Sequence, residues 1–323
     1  MAYVNGSAAS WGDLLSALVS ACTDEGWAWN DGILSKGTAF VKLWVRSPET
    51  FSEGEGILLQ GGTGQAGAVL TDPSPQMPRL GCPSRLLNQV VWPVDYYVHI
   101  HPDPDEVYFV VRYSVDYYLW CAFGVSTLDL PGSGLWLSAI SRRLRGPNNE
   151  GIRITDLGGG GTRGTDHTSD SQTSAGLLWN GNGSGSGGSQ SADSQNNAVC
   201  TGFDGNLWPS PGSNSGSYNL INTIHANVPL SPLLLRSVGW NQQAVLLPIQ
   251  PVLVRAESKV SKVADLAHAR YVRVDNLEAG QVIAMGGEQW RIYPFYRRVP
   301  GVTSVNNEAH TGAFGMAIRY DGP

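Results

Sequence analysis

The sequence predicts a mainly β protein with a β-sandwich-like core, a short N-terminal helix and a long Gly/Ser-rich insertion. Three observations predict this fold class: a helical stripe near the start, strand-length apolar runs over most of the rest, and a Gly/Ser-rich stretch in the middle. Apolar runs bounded by Gly, Pro, Asn and Asp are typical of strands and hairpins. With 323 residues, the chain is long enough to bury a substantial core.

The clearest helix signal lies at the start of the chain. Ser10 is a good N-cap residue, and Asp13 stands in the first turn, where a carboxylate completes the cap. Gly26 follows at the position where a left-handed residue ends a helix. The pattern therefore predicts one short amphipathic helix. Its apolar stripe consists of Trp11, Leu14, Leu15, Leu18, Val19 and Cys22.

The segment from Asp95 to Leu130 predicts the core sheet. Two runs rich in β-branched and aromatic residues, 96–101 and 107–113, flank the turn sequence Pro-Asp-Pro-Asp at 102–105. A third run, 117–125, follows after a short gap. We interpret the segment as a three-stranded meander.

Other segments give weaker signals. Residues 38–46 alternate between apolar and polar, and 55–59 is a further candidate strand with Gly61-Gly62 as its turn. The proline-rich segment 72–83 is interpreted as an irregular surface loop, and 260–268 as a short helix or turn. The remaining candidate strands are 244–254, which suits a sheet edge because prolines interrupt it, then 271–274, 281–285 and 289–293 at hairpin spacing, and 314–320.

Composition divides the chain into three parts. Residues 1–157 hold the helix and the meander, 158–217 form the Gly/Ser-rich insertion or extended arm, and 218–323 form a C-terminal β module that we expect to pack with the first. A Gly/Ser-rich stretch of this length cannot offset its ordering entropy with its own contacts. It is therefore either a flexible loop or an arm supported by neighbouring subunits. Its possible anchor residues are Leu177, Leu178, Trp179, Phe203, Leu207 and Trp208.

The charge balance constrains the partners of the chain. Charged residues make up 15% of the sequence and the net charge is −6, which argues against binding to nucleic acid. The basic clusters at 142–145 and 297–298 are short, as solvated surface or interface charges are. The start of the sequence lacks a signal-peptide pattern, and no apolar run is long enough to span a bilayer. We expect a protein made in the cytoplasm, without a membrane partner.

The four cysteines predict no metal or redox chemistry. Cys22, Cys82, Cys121 and Cys200 are scattered and form no Cys-x-x-Cys pair. Cys22 lies on the helical stripe and Cys121 in an apolar strand run. We interpret both as buried thiols in a reducing compartment.

One histidine pair is the best candidate for a metal site. His99 and His101 occupy alternate positions of a strand, so both rings share one face, and Asp103 or Asp105 could add a carboxylate. A complete ligand set would need a further histidine brought in by the fold. The simpler interpretation, which we favour, is that the pair occupies polar edge positions of a hairpin, so no metal or cofactor is expected. The histidines available as a third ligand are His167, His225, His268 and His310.

Two other site hypotheses have simpler alternatives. Asp103, Asp105 and Glu106 could supply paired carboxylates for glycoside hydrolysis, but a Pro/Asp turn explains them fully, so no catalytic residue is assigned. The tryptophans could form a sugar-binding platform, although core or subunit-interface positions are the more common use of such residues. The tryptophans concerned are Trp27, Trp29, Trp44, Trp92, Trp120, Trp136 and Trp290.

Four segments resemble virion structural proteins of tailed bacteriophages. The opening Trp11-Gly12-Asp13-Leu14-Leu15 helix followed by Gly26-Trp27 resembles the start of such proteins, and the meander at 95–130 is similar to their central sheet. The segments 286–294 and 315–320 are similar to their C-terminal module. The insertion at 158–217 has no counterpart in this resemblance.

The resemblance implies a structural role without catalytic residues. The expected function is a tail, tail-tip or baseplate subunit that forms a homo-oligomer and contacts other virion proteins. The expected location is the virion, after assembly in the host bacterial cytoplasm. Two alternatives stay open: a receptor- or carbohydrate-binding spike or fibre, and a capsid decoration or head-completion protein. A metal-assisted hydrolase is a third class, which the His99/His101 pair would have to support.

Overall fold

The computed structural model describes residues 1–46, 55–82, 90–115, 117–140, 177–178, 197–209, 219–221, 244–254, 259–274, 276–295 and 314–322. Within these ranges the protein is mainly β, with several antiparallel sheets and a single α-helix near the N-terminus, as the sequence predicts. The sheets stack as three layers, and the middle layer is buried on both faces.

The helix α1 spans Trp11–Asp24. The Ser10 hydroxyl accepts a hydrogen bond from the Asp13 amide at 3.0 Å, and the Asp13 carboxylate accepts one from the Ala9 amide at 3.1 Å, so the predicted cap is present. Gly26 has a φ of 83°, the left-handed conformation expected after the helix end. The helix buries one face, which comprises Trp11, Leu14, Leu18, Ala21 and Cys22.

Over the described residues, the central sheet has six strands in the order β1-β9-β10-β11-β12-β13. The predicted meander forms its middle, because β9, β10 and β11 pair in sequence order. The first strand of the chain pairs with β9, and residues 197–199 supply the opposite edge. The strands are β1 Ala2–Ala8, β9 Val94–Pro102, β10 Asp105–Ser114, β11 Tyr117–Val125, β12 Leu135–Ala139 and β13 Asn197–Val199.

The N-terminal sheet lies on one side of the central sheet together with α1. It has the order β2-β3-β4-β5-β8, and a small hairpin of β6 and β7 follows β5. Its strands are β2 Ala28–Asn30, β3 Ile33–Lys36, β4 Ala39–Arg46, β5 Glu55–Gly62 and β8 Arg79–Cys82, and the hairpin strands are β6 Gly64–Ala66 and β7 Val69–Thr71.

The C-terminal sheet lies on the other side of the central sheet. It has five strands in the order β15-β18-β21-β20-β19, and a separate three-stranded sheet has the order β14-β16-β17. The strands are β14 Asn219–Ile221, β15 Leu247–Pro248, β16 Val252–Val254, β17 Val260–Lys262, β18 Ala269–Arg273, β19 Val282–Met285, β20 Glu288–Pro294 and β21 Phe314–Arg319.

The two faces of the central sheet contact different layers. On the helix side, the Phe123 ring packs edge-to-face on Trp27 with 5.4 Å between ring centroids. On the opposite side, the Trp120 indole donates a hydrogen bond to the Phe295 carbonyl at 2.9 Å. Because side chains alternate along a strand, β10 and β11 bury both odd and even positions and read as continuous apolar runs.

The fold also corrects several local predictions. Gly61 and Gly62 lie inside β5 and do not form a turn, because β5 approaches the central sheet closely there. A Cβ at Gly61 would lie 2.7 Å from Leu137 Cδ1 and 2.8 Å from Trp208 Cη2, so a larger residue would have to displace these side chains. Part of the predicted loop, Arg79–Cys82, is strand β8, and strand β17, Val260–Lys262, occupies the first three residues of the helix or turn predicted at 260–268.

Pairing in the C-terminal half differs from simple hairpins. β19 and β20 form a hairpin across Gly286-Gly287, as predicted, but β18 pairs with β15 and β21. The predicted edge strand at 244–254 is divided between β15, at an edge of the C-terminal sheet, and β16, in the small sheet. The predicted terminal strand is present as β21.

Within the predicted insertion, the described residues are 177–178 and 197–209. Leu177, Leu178 and Trp208 are buried in the main core, and Phe203 and Leu207 are half-buried against it. The Trp208 indole donates a hydrogen bond to the Asp72 carbonyl at 2.8 Å. These apolar residues therefore hold their part of the segment on the body of the protein. Trp179 lies outside the described residues.

Candidate functional site

The candidate site lies between the central and C-terminal sheets. Odd-numbered residues of β9 and even-numbered residues of β10 point to this interface, because they share one face of the central sheet. His99 and His101 are therefore on the same face, as predicted, and both are buried. Glu106, opposite His101 in the register, is fully buried on the same face. We call these residues, together with His268, the interlayer cluster.

His101 stacks on His268. The two imidazole rings are parallel within 8°, and their centroids are 4.1 Å apart. His268 precedes β18, so the fold brings one of the four candidate histidines to the pair. His268 Nε2 lies 2.8 Å from the Asp103 carbonyl oxygen and donates to it, since a carbonyl only accepts. His167, His225 and His310 lie outside the described residues.

Glu106 connects the two layers. Its carboxylate accepts hydrogen bonds from the amides of Ala267 and His268, both at 2.9 Å. It also accepts one from the Tyr108 hydroxyl at 2.6 Å, two residues along the same strand. A carboxylate with several good donors is well satisfied although it is buried. Glu106 therefore fixes the start of β18 against the central sheet.

His99 belongs to an aromatic group at the next level of the interface. Its Nε2 lies 3.0 Å from the Tyr293 hydroxyl of β20, and its ring packs against Tyr3 of β1 and Tyr320. The Arg291 guanidinium lies over three tyrosine rings, at 4.7 Å from the Tyr3 centroid, 5.1 Å from Tyr320 and 5.8 Å from Tyr97. Such cation–π contacts join strands of both sheets.

Burial controls the ionisation of the cluster. It lowers the pKa of His99 to about 3, with a further contribution from the Arg291 charge. It lowers the pKa of His101 to about 2, with the nearby His268 as the next cause, and it also lowers the pKa of His268. Burial raises the pKa of Glu106 to about 7, although its three hydrogen bonds act in the opposite direction. The histidines are therefore neutral at pH 7.

The geometry of the interlayer cluster does not suit the binding of a metal ion. The lone pairs of stacked parallel imidazoles lie in the two ring planes and do not converge on one point. Among the described residues, no group of three or more His, Cys, Asp or Glu side chains could hold a metal ion. Both histidines are buried between two packed layers. They therefore do not occupy the polar edge positions that the sequence suggested.

The three carboxylates of the turn have separate surroundings. Asp105 forms a salt bridge with Lys36 at 2.8 Å. Glu106 points to the opposite face of β10 and is held by amide and hydroxyl donors. Asp103 is exposed, and its backbone carbonyl accepts the bond from His268. The catalytic carboxylate pair considered from the sequence is not formed by the two neighbours Asp105 and Glu106.

Most of the seven candidate tryptophans lie in the core and do not form a surface platform. Trp27, Trp120, Trp136 and Trp290 are buried. The other three, Trp29, Trp44 and Trp92, are half-buried. The core interpretation is therefore confirmed for the four buried tryptophans.

Three further sequence predictions concern the cysteines, the basic clusters and membrane spans. Cys22, Cys121 and Cys200 are buried free thiols, which confirms the prediction for the first two, and burial raises their pKa. The basic clusters at 142–145 and 297–298 lie outside the described residues. Among the helices of the described ranges, none is long and apolar enough to cross a membrane.

Sequence reasoning missed Glu106 as a tie between layers, and it missed the Arg291–tyrosine group. A signal for Glu106 was present, since it stands at alternate spacing with Tyr108 at the start of an apolar strand. The Arg291 group had no such signal, because its members come from four separate strands and segments.

No protein-family model matches this chain, and no curated protein matches it in sequence.

Proposed function

We propose that this chain is a structural subunit of a tailed-phage virion, a tail, tail-tip or baseplate component that acts through protein–protein assembly. The observation that carries the proposal is the use of the interlayer cluster. Its polar side chains bond to backbone and side-chain groups of the facing layer and so join distant parts of the chain. Such ties suit a rigid module whose function is geometric.

The resemblance to virion structural proteins supports the same role. The segments that carry it coincide with elements of the fold: α1, the β9–β11 meander, β20 and β21. The low charged fraction of 15% fits a chain that covers part of its surface with partners. Copies of the chain and other virion proteins are the partners that this role requires.

The proposal is tested on phage particles. Particles released by lysis of a host that carries the coding sequence are purified on a density gradient, and their proteins are quantified by mass spectrometry. We expect this chain to co-sediment with the particles in a fixed ratio to the other virion proteins. A non-structural phage protein from the same lysate serves as the control and stays at the top of the gradient.

The opposite result would overturn the proposal. If the chain is abundant in the lysate but stays with the control protein, it is not a virion subunit. If it co-sediments, antibody labelling viewed by electron microscopy locates it. Label on the tail or baseplate supports the proposed position, whereas label on the capsid replaces it with a decoration or head-completion role.

A further inference from the structure

Among the described strands, β1, Ala2–Ala8, forms the outer edge of the central sheet. This strand pairs with β9 on one side over its whole length, and the register shows no bulge. Its sequence, Ala-Tyr-Val-Asn-Gly-Ser-Ala, contains no charged residue and no proline. Free edges in proteins usually carry lysine, proline or a bulge that prevents strand addition. The β1 edge has none of these three protections.

The hydrogen-bond alternation shows which groups face outward. The Ile140 amide donates to the Trp120 carbonyl at 2.9 Å, so even-numbered residues of β11 bond to β12. Bonding direction alternates along each antiparallel strand. This alternation applies to the registers of β11 with β10, of β10 with β9 and of β9 with β1. The backbone N–H and C=O groups of Tyr3, Asn5 and Ser7 then face away from β9.

The β1 sequence is complementary to itself in antiparallel pairing. With a two-fold axis at Asn5, the outward groups of Asn5 meet Asn5 of a second copy, and those of Tyr3 meet Ser7. Each such pair exchanges two hydrogen bonds, so three pairs supply about six. No like charges oppose one another in this register, because Ala2–Ala8 is uncharged.

The side chains on the helix side fit the same register. Val4 is 38% exposed, which is unusual for an apolar residue in this sheet. In the two-fold pairing Val4 lies opposite Gly6 of the second copy. The Tyr96 ring lies beside Gly6, since a Cβ built there would be 2.5 Å from the Tyr96 hydroxyl oxygen. Val4 of one copy would therefore cover the Tyr96 ring of the other and bury apolar surface.

We propose that two copies of this chain join edge to edge through β1, in an antiparallel two-fold pairing centred on Asn5 that makes one continuous sheet from their central sheets. This inference rests on the proposed structural role, because it names the copy-to-copy contact that such a subunit uses. The contact is isologous and closes on itself, so it produces a dimer and leaves the other surfaces available for further partners.

A cysteine experiment tests both the contact and its register. In the bonded pair at the two-fold axis, the two Cα atoms of residue 5 are about 5.5 Å apart, within the range of a disulfide. The purified full-length Asn5→Cys variant, oxidised under mild conditions, is expected to form a covalent dimer. Ser7→Cys is the matched control, because residues 7 of the two copies are about 13 Å apart along the strands. The unsubstituted protein gives the background from native cysteines.

A second pair of variants tests the backbone contact without crosslinking. Asn5→Pro removes an outward amide and leaves the bonds to β9 in place, whereas Asn5→Thr keeps that amide. Light scattering over a concentration series is expected to show at least a tenfold weaker dimer for Asn5→Pro and little change for Asn5→Thr. Circular dichroism and thermal unfolding of the monomer establish that each variant is folded.

The outcomes separate this inference from the virion role. A monomer at all concentrations, or crosslinking of Ser7→Cys as efficient as that of Asn5→Cys, would overturn the proposed pairing. Either result leaves the particle sedimentation unaffected, so the chain could still be a virion subunit with another contact. Conversely, a specific Asn5→Cys dimer of a chain absent from particles would retain the pairing and reject the virion role.

Discussion

On its helix side the central sheet packs against α1 and the N-terminal sheet through apolar contacts such as Phe123 on Trp27. On its other side, apolar contacts such as Trp120 on Phe295 are joined by His99, His101 and Glu106, which are as deeply buried as the apolar residues around them. The first interface is non-directional and is stabilised by area and packing. The second needs specific partners, because each buried polar group without one is costly.

The two interfaces of the central sheet should therefore respond to different perturbations. An apolar interface loses stability when volume is removed and is nearly insensitive to pH. A polar interface tolerates small volume changes but depends on protonation, because its buried groups titrate away from their ordinary pKa values. The two behaviours can be separated by substitutions on either face of the same strands.

The largest effect is expected from Phe123→Ala. The ring is fully buried and contacts Trp27, so its removal leaves a cavity on the helix side. We expect a loss of about 3–5 kcal/mol in the free energy of unfolding, with the same loss at pH 5 and pH 8. Urea denaturation at the two pH values measures it. A loss that changes strongly with pH would mean that the two faces are not independent.

Glu106→Gln is expected to cost about 1–3 kcal/mol at low pH, because an amide NH2 in place of either carboxyl oxygen faces a backbone N–H donor, that of Ala267 or that of His268, and cannot accept from it. The pKa of Glu106 is raised to about 7 in the folded protein. Its contribution is therefore full below its ordinary value near 4.5 and is lost as pH rises through 7. Because that shift in pKa corresponds to about 3 kcal/mol, the stability difference between the variant and the unsubstituted protein should vanish or reverse sign over that interval.

The matched control for this variant is Asp105→Asn on the opposite face of β10. It breaks only the partly exposed pair with Lys36, so a change below about 1 kcal/mol is expected. Denaturation curves at pH 4, 6 and 8 compare the two. Equal losses from both variants at pH 4, where the contribution of Glu106 is full, would contradict the assignment of Glu106 as the tie between layers.

His101→Phe should alter the pH dependence more than the stability at neutral pH. The pKa of His101 is lowered to about 2, so its contribution is full above 6.5 and is lost as pH falls below that value. A phenyl ring keeps the stack on His268 and cannot titrate. At pH 8 we expect a change within about 1 kcal/mol, and at pH 5 a gain of about 2 kcal/mol over the unsubstituted protein. Parallel stability curves would contradict the prediction.

A small effect is expected from Arg291→Met, which keeps an apolar stem but removes the guanidinium from the three tyrosine rings. A loss of about 0.5–1 kcal/mol is expected for a partly exposed cation–π group. Hydrogen exchange should show faster opening in β1, because Tyr3 is one of the rings. If the hydrogen-exchange rates of β1 do not change, the Arg291–tyrosine group does not stabilise that strand.

Much of this fold was predictable where local pattern and tertiary burial agree. The capped helix and the meander have strong signals, because α1 carries one apolar stripe and β9–β11 carry long β-branched and aromatic runs. β1 was not predicted, since its small and polar residues form a strand only by pairing with β9, about 90 residues further along. Gly61 was assigned to a turn because its close approach to Leu137 is invisible in the sequence.

The candidate site was predictable only in part, for a similar reason. Alternation places His99 and His101 on one face, which the fold confirms. Four histidines could have joined them, and local pattern cannot select His268, whose position depends on the packing of a separate sheet. Glu106 was assigned to the turn, because its donors at Ala267 and His268 lie more than 150 residues away.

The double burial of the central sheet has a consequence for how the chain is made. The meander is complete once Val125 has left the ribosome, but β18, which covers one of its faces, begins at Ala269. At ordinary translation speeds, the intervening residues take on the order of ten seconds to synthesise. During that time a sheet with one uncovered apolar face is accessible to other nascent chains. The yield of folded protein in cells should therefore depend on chaperone supply more than the stability of the finished protein would indicate.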